Sequence, residues 1–220
     1  MIEGAAMDSV RYDGPWIPPV RYPESDGRPM GETDQHWDLT VALVQALRAH
    51  FEDRPDVYVA SNNFIYYVEG EPARCVSPDV YVVFGVEKRQ RPIYKVWEEG
   101  KGPDVVFELT SKNTKADDLG SKKGIYEFLG VSEYFLIDPL SEYLRPPEMG
   151  WRLGEHGYIP IVGDLHSQRL GLSVRRIDGV ARLVDATTGR VLPTAEEDRK
   201  RVREADQELA RLKAELERRG

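Results

Sequence analysis

The sequence is poor in several features that define common classes of protein. Its single cysteine, Cys75, excludes an internal disulfide and is typical of a chain that works in a reducing cytoplasm. No apolar run approaches the length of a membrane span, and no charged start is followed by an apolar stretch and a cleavage site. We therefore expect a cytoplasmic protein that has no membrane partner.

Positive charge is also in deficit, with 30 Lys and Arg residues against 38 Asp and Glu residues. The formal net charge is −8 at pH 7, whereas general nucleic-acid binders present a basic surface. This charge does not exclude a nuclease, because metal ions and a local basic patch can offset the repulsion of phosphates. The candidate patch consists of Lys112, Lys115, Lys122 and Lys123. Solvated surface is the alternative for these lysines and the favoured interpretation of the stretch at 88–91.

Two familiar catalytic signatures are missing. The chain has no serine nucleophile elbow and no glycine-rich phosphate loop followed by lysine. His50, His156 and His166 do not have the spacing of metal ligands.

The chain is long enough, at 220 residues, for one substantial core with an appendage. Residues 1–31 are rich in Pro, Gly and charge and are predicted to form an extended arm. Residues 32–193 are predicted to form the domain, which begins with a helix capped by Thr33 and running to about residue 51. The apolar residues of this helix recur at steps of three and four, namely Trp37, Val41, Val44, Leu47 and Phe51.

Short apolar runs predict the strands of the domain, at 57–60, 64–68, 80–83, 105–107 and 134–137. Between the last two, residues 117–129 predict a helix that stops at Gly130. A helix followed by a buried strand indicates a crossover unit. From residue 144 to residue 192, glycine turns separate short strands, which predicts antiparallel hairpins that flank the central sheet.

After Pro193 the segment 194–220 predicts one helix. Its apolar residues alternate steps of three and four, the seam of a coiled coil, at Val202, Ala205, Leu209, Leu212 and Leu216. The seam covers only about two heptads, too short to be stable without a partner. We therefore predict a homodimer, and the alternatives are a solvated helix or one that packs on its own domain.

Two carboxylates accompany the apolar strand runs. Asp79 precedes Val80 in Ser77-Pro78-Asp79-Val80, and Glu108 follows Phe107 where the run gives way to polar residues. An acid in a buried strand is costly unless it is paired or bound to a metal, so we expect Glu108 to lie at a strand end facing a polar cleft. Two acids near one point can hold a hard divalent cation. The alternative is that Asp79 caps a turn and Glu108 pairs with an arginine.

The segment from Ser77 to Pro139 resembles the Uma2-type endonuclease family (DUF820) of the PD-(D/E)xK restriction-endonuclease-like superfamily. The resemblance rests on the order and spacing of four motifs. They are Pro78-Asp79; the run Pro103-Asp104-Val105-Val106-Phe107-Glu108-Leu109-Thr110-Ser111; Asp118 with Lys122 and Tyr126 at four-residue steps; and Gly130-Val131-Ser132-Glu133-Tyr134-Phe135-Leu136-Ile137-Asp138-Pro139. The fold it implies is α/β, a mixed central sheet flanked by helices, here with extra β-hairpins and a C-terminal helix.

The resemblance also implies an activity, Mg²⁺-dependent (or Mn²⁺-dependent) hydrolysis of phosphodiester bonds in nucleic acid, with DNA as the expected substrate. In this interpretation Asp79, Glu108 and the backbone carbonyl of Leu109 bind the metal, and Lys122 positions water or offsets developing charge. The superfamily usually has lysine two residues after the second acid, where this chain has Thr110. Lys122 matches the position to which the family commonly moves that lysine, whereas its neighbour Lys123 is expected to be solvated.

Other acids have weaker claims. Glu32, at the start of the first helix, is a candidate for an extra metal ligand. Surface or capping roles are the favoured interpretation of both Glu32 and His36. Asp104 begins the strand of Glu108 at its opposite end, and Asp138 is expected to be a turn residue. Two other functions stay open, a catalytically silent nuclease-fold module for binding or assembly and a hydrolase of small phosphoesters.

Overall fold

The computed structural model describes residues 19–25, 27 and 33–218. Glu32 and most of the predicted arm over 1–31 lie outside the described residues. The helices of the described part are α1 (Asp34–His50), α2 (Val96–Glu99), α3 (Lys115–Leu119), α4 (Ser121–Phe128) and α5 (Ala195–Glu217). The strands are β1 (Val57–Ala60), β2 (Ile65–Tyr66), β3 (Cys75–Val76), β4 (Val80–Phe84), β5 (Tyr94–Lys95), β6 (Val105–Leu109), β7 (Glu133–Ile137), β8 (Glu148–Gly154), β9 (Gly157–Pro160), β10 (Leu165–Ser167), β11 (Leu172–Ile177) and β12 (Val180–Asp185).

A six-stranded mixed sheet in the order β1-β4-β6-β7-β8-β9 forms the centre of the fold. Both β6 and β7 are buried along their whole length, as their apolar sequences predict. Alternate residues of the sheet enter different clusters, so that Phe107 packs on one face and Val106 on the other. The predicted mixed α/β fold is confirmed.

The pairing of β6 with β7 is parallel, with Glu108 opposite Leu136, while the other pairs of this sheet are antiparallel. The chain leaves β6, passes through α3 and α4 and returns as β7, which confirms the predicted crossover. This connection carries α4 back over the sheet beside β6.

The predicted single helix over 117–129 is two helices in the structure, since α3 ends at Leu119 and α4 begins at Ser121. Gly120 joins them with φ −117° and ψ −95°. A Cβ atom at this position would lie 2.9 Å from the carbonyl oxygen of Ala116, so the junction requires glycine. The predicted stop is present, because Gly130 has φ +71° just after the end of α4.

Helix α1 begins as predicted, with the Thr33 hydroxyl accepting a hydrogen bond from the amide of His36. Leu39, Leu43 and Leu47 bury its inner face. Trp37 differs from the prediction, since it is 53% exposed. It lies in the first turn, before the first buried residue of the helix.

The predicted hairpins divide between two sheets. Strands β8 and β9 extend the central sheet and do not flank it, which corrects the prediction for this part of the chain. Strands β10, β11 and β12 form a separate antiparallel sheet that packs on the core through Leu172, Val174 and Leu183. A third small sheet has the order β3-β2-β5.

Helix α5 follows Pro193 as predicted. Thr194 forms a capping box with Glu197, and Arg182 holds Glu197 at 2.6 Å. Beyond this first turn the apolar residues of the predicted seam are exposed, namely Val202, Leu209, Leu212 and Leu216. In the described part of the chain, no helix is both long enough and apolar enough to cross a membrane.

Candidate active site

Asp79 and Glu108 meet at one end of the central sheet. Strands β4 and β6 are antiparallel with Val80 opposite Phe107, so one further step of this register places Asp79 opposite Glu108. Asp79 lies just before β4, and its Oδ2 accepts a hydrogen bond of 2.6 Å from the amide of Leu109. The turn between Pro78 and Val80 therefore directs this carboxylate towards the end of β6.

Glu108 is more deeply buried than expected. We expected a side chain that faces a polar cleft, but its carboxylate is 0% exposed. Its Oε1 accepts a short hydrogen bond from the hydroxyl of Tyr126, and its Oε2 accepts one of 3.0 Å from Lys122 Nζ. The side chain points to the face of the sheet that α4 covers, so the helix closes over it. Its cationic partner is a lysine and not the arginine of the alternative interpretation.

Lys122 lies between two carboxylates. Its Nζ is 3.0 Å from Glu108 Oε2 and 3.0 Å from Asp118 Oδ1. Asp118 is 1% exposed. Asp118, Lys122 and Tyr126 thus share one face across the α3–α4 junction, as their four-residue spacing predicts. Sequence reasoning noted this spacing but gave Asp118 and Tyr126 no role in the site.

Lys123 points elsewhere. Its Nζ lies 4.4 Å from the centre of the Trp151 ring, a cation–π contact on a half-buried side chain. The prediction that Lys123 is solvated is therefore wrong. The predicted basic patch is divided, since Lys115 donates to the carbonyl of Tyr143 and only Lys112 and Lys122 line the pocket described below.

His36 also belongs to the site, although the sequence predicts a surface or capping residue at this position. Its Nε2 lies 3.1 Å from Asp79 Oδ1. The available signal was its place on α1, four residues before the buried Thr40 and seven before the buried Leu43, which puts His36 on the inner face of the helix. Glu32, the other candidate from this region, lies outside the described residues.

The two acids are perturbed in opposite directions. Burial opposes the ionisation of Asp79, but hydrogen bonds from His36 and the amide of Leu109 outweigh it, so the pKa of Asp79 is below its ordinary value. Burial and the charge of Asp79 raise the pKa of Glu108 well above its ordinary value, against the opposing effect of Lys122. One carboxylate is therefore stabilised as an anion and the other favours its proton.

The carboxylates also shift the pKa values of two side chains on α4, Lys122 and Tyr126. Burial disfavours the ammonium of Lys122, but Glu108, Asp118 and Asp79 together raise its pKa above the ordinary value. Burial and the neighbouring Glu108 raise the pKa of Tyr126 well above its ordinary value. Lys122 is thus a cation and Tyr126 a neutral phenol that donates to Glu108.

A pocket of about 290 Å³ opens over this end of the sheet. It is lined by Thr33, His36, Asp79, Leu109, Thr110, Ser111, Lys112, Asn113, Thr114, Lys122, Pro139, Leu140 and Tyr143. Asp79 and Lys122 reach it directly, while Glu108 and Asp118 lie behind them. The pocket gives a ligand access to the carboxylate of Asp79 and the ammonium of Lys122.

A larger hollow of about 890 Å³ runs along β1 and includes the basic stretch at 88–91. Its cations are engaged within the protein, since Lys88 donates to the carbonyl of Phe51 and Arg91 pairs with Glu99 at 2.7 Å. This hollow contains none of the proposed site residues. The stretch at 88–91 therefore has mainly structural contacts.

The remaining acids lie where they were expected. Asp104 is at the opposite end of β6, where it pairs with Lys101 at 2.6 Å. Asp138 follows β7 and accepts hydrogen bonds from the amides of Leu140 and Leu144, so it is a turn residue. Across the described ranges, no three or more histidine, cysteine or acidic side chains gather in an arrangement that would hold a metal ion.

Comparison with known proteins places the chain in a family. The sequence profile of the Uma2 family, described as "Putative restriction endonuclease", matches residues 16–160. This match covers more than half of the 220 residues, and the chain therefore belongs to the Uma2 family. Family membership supports a nuclease.

A search of solved structures finds a similar protein from Anabaena variabilis ATCC 29413, whose crystal structure is described as that of "a putative nuclease belonging to DUF820". The TM-score is 0.47 and the sequence identity 11%, over 80% of this chain and 90% of that chain. No curated protein matches the chain.

Proposed function

We propose that this protein is a Mg²⁺-dependent (or Mn²⁺-dependent) endonuclease that hydrolyses phosphodiester bonds in DNA. The observation that carries the proposal is the meeting of Asp79 and Glu108 at one end of the sheet with Lys122 Nζ 3.0 Å from Glu108. Family membership supports the nuclease activity. The metal and the choice of DNA follow from the chemistry of this donor set and from the family resemblance.

The donor set fits a hard divalent cation. Asp79 and Glu108 offer carboxylate oxygens, and the Leu109 carbonyl is a further oxygen donor at the same end of β6. Mg²⁺ keeps several waters and is held through one or two carboxylates, so a set of this size is sufficient. When bound, such an ion supplies Lewis acidity, which lowers the pKa of a coordinated water and stabilises a phosphoryl transition state.

The protein's own groups divide the remaining work. Asp79 keeps its negative charge because His36 and the Leu109 amide hold it. Lys122 faces the pocket, where its ammonium can orient the attacking water or offset the charge that develops on the phosphate. Tyr126 fixes the rotamer of Glu108 through its hydroxyl.

A nuclease assay on wild type and Glu108→Ala, with and without Mn²⁺, tests this proposal. Glu155→Ala, an exposed acid in the β8–β9 turn, is the matched control. Wild type and the control should cut DNA only with the metal, and Glu108→Ala should lose at least about 100-fold in rate. Equal rates for Glu108→Ala and wild type would reject the assigned site. Parallel RNA and small phosphoester substrates show whether the specificity is for DNA.

A catalytically silent nuclease-fold module is the second candidate. The observation that favours it is that both oxygens of Asp79 and both oxygens of Glu108 already have partners, while the usual lysine position is Thr110. Calorimetric titration separates the two functions. A nuclease binds Mg²⁺ or Mn²⁺ in a Glu108-dependent way, whereas a silent module gives no such heat.

We also propose that the protein self-associates as a homodimer through α5. The exposed apolar seam supports this, since four large apolar side chains lie along one helix beyond its anchored first turn. A second copy of the same helix has the matching seam.

A further inference from the structure

Asp118 is a buried acid that the proposed chemistry does not use. Its side chain is 1% exposed, and Lys122 Nζ is 3.0 Å from its Oδ1. Yet within the described residues neither of its carboxylate oxygens has a hydrogen-bond partner. The lysine is close enough for an ion pair but is not aligned for a hydrogen bond with this acid. Its hydrogen bond goes to Glu108.

Buried carboxylates without hydrogen bonds are costly to keep. Glu108, by contrast, has both oxygens satisfied, by Lys122 and by Tyr126. Two acids therefore flank the ammonium of Lys122, and they differ in hydrogen bonding: both oxygens of Glu108 have partners and, among the described residues, neither oxygen of Asp118 does. A second state of the site, in which Lys122 is hydrogen-bonded to Asp118, would remove the cost of leaving Asp118 unsatisfied.

Cation binding creates that second state. An ion held by Glu108 needs a carboxylate oxygen, and Lys122 occupies Oε2 at 3.0 Å. An ion on Oε2 competes with the ammonium for this oxygen and repels it, so Lys122 loses most of its contact with Glu108. Its side chain is only 26% exposed, so without another anion nearby its ammonium would remain desolvated and unpaired. Asp118 already lies within ion-pair distance of it.

We propose that Asp118 is a positioning residue that receives Lys122 when Glu108 binds the cation, and that it thereby keeps the lysine beside the pocket for catalysis. This inference rests on the proposed function and deepens it. The charges agree with it, because one divalent ion and one ammonium balance the three carboxylates of Asp79, Glu108 and Asp118. The lysine changes its main partner and does not leave the site.

A double-mutant cycle on Mn²⁺ affinity, measured by calorimetry, tests the inference. Asp118→Asn should weaken Mn²⁺ binding by about 5- to 50-fold, because Lys122 then competes for Glu108 without an alternative partner. In a Lys122→Met background the same change should alter the affinity by less than about twofold. The control is Asp117→Asn, which removes the same charge from the exposed neighbouring residue and should leave the affinity unchanged.

Each outcome has a separate meaning. An equal or larger loss in the Lys122→Met background would show that Asp118 acts on the ion directly, which overturns the inference and leaves the nuclease intact. An unchanged affinity in Asp118→Asn also overturns it. A wild type that binds no Mn²⁺ rejects the proposed function itself. Lys122→Gln repeats the cycle if Lys122→Met does not fold.

Discussion

At the scale of the residue, Asp79 and Glu108 are similar groups in two environments. Asp79 accepts hydrogen bonds that favour its charged form, whereas Glu108 is enclosed by the sheet and α4. Burial acts on both acids, and only the donors around Asp79 overcome it. Desolvation therefore decides which carboxyl has the raised pKa in the metal-free protein.

The raised pKa of Glu108 predicts how stability depends on pH. The folded state binds this proton more tightly than the unfolded state, so the metal-free protein should lose stability as pH rises above the ordinary value of 4.5 towards the folded pKa. Glu108→Gln should remove this dependence. At neutral pH in chelator the variant should be between equally stable and about 1 kcal/mol more stable than wild type, and the upper value corresponds to a rise in Tm of roughly 2–4 °C.

Thermal unfolding from pH 4.5 to 8 in chelator, followed by the same series with Mn²⁺, measures both effects. Glu108→Gln should also lose the stabilisation that Mn²⁺ gives to wild type. A clear fall in Tm in chelator would instead identify Glu108 as a structural partner of Lys122. The pH dependence that Asp79 contributes has the opposite sign. Its lowered pKa stabilises the folded state, and this stability is lost only as the pH falls below the ordinary pKa of an aspartate.

The adjacent residues Lys122 and Lys123 provide a test variant and its matched control for the role of lysine in hydrolysis. Lys122→Ala should lose at least about 100-fold in hydrolysis while it keeps Mn²⁺ binding, because the ammonium beside the pocket is gone and the acids remain. Lys123→Ala should hydrolyse DNA within about twofold of wild type and lose about 0.5–1 kcal/mol of stability with its contact to Trp151. Steady-state kinetics and urea denaturation measure both. The reverse pattern would identify Lys123 as the catalytic lysine.

At the scale of the element, the sequence predicted the features that depend on residues close together in the chain. The Thr33 cap, the buried strands around Val80 and Phe107 and the spacing of Asp118 and Lys122 are all set by neighbours in the chain. The contact between His36 and Asp79 was not predictable in this way, because it depends on how α1 packs across the end of β4. The complete burial of Glu108 likewise depends on α4, which closes over the sheet only through the crossover.

The break between α3 and α4 predicts a contrast between two glycines. Gly120→Ala should destabilise the protein by about 1 kcal/mol or more and weaken hydrolysis, since its Cβ would lie 2.9 Å from the Ala116 carbonyl and shift α4 with Lys122. Gly124→Ala, inside α4 with no atom within 4 Å of the added Cβ, should stabilise by about 0.5–1 kcal/mol. Urea denaturation of both variants, with their hydrolysis rates, measures the contrast. Equal stability of the two would mean that the junction relaxes freely.

At the scale of the whole molecule, the tail is separable from the site. Deletion of residues 195–220 removes the exposed seam but no proposed catalytic group, so the domain should stay folded and self-associate less. Light scattering before and after truncation measures the change in mass. Because truncation also removes Glu197, the partner of Arg182, the matched variant is Leu209→Lys with Leu216→Lys. An unchanged mass in both variants would reject the dimer seam.

The position of the lysine on α4 also determines how this site can vary. A lysine two residues after Glu108 would move with β6, which is hydrogen-bonded to β4 and β7. Helix α4 is held instead by aromatic packing, with the ring of Tyr126 5.3 Å from that of Tyr134 and Lys123 over Trp151. Substitutions at Tyr134 or Trp151 can therefore change the position of α4, and with it the distance from Lys122 to the pocket, while the acids stay in place. Backbone pairing fixes the position of the acids and side-chain packing fixes that of the lysine, so substitutions can alter the two halves of the site independently.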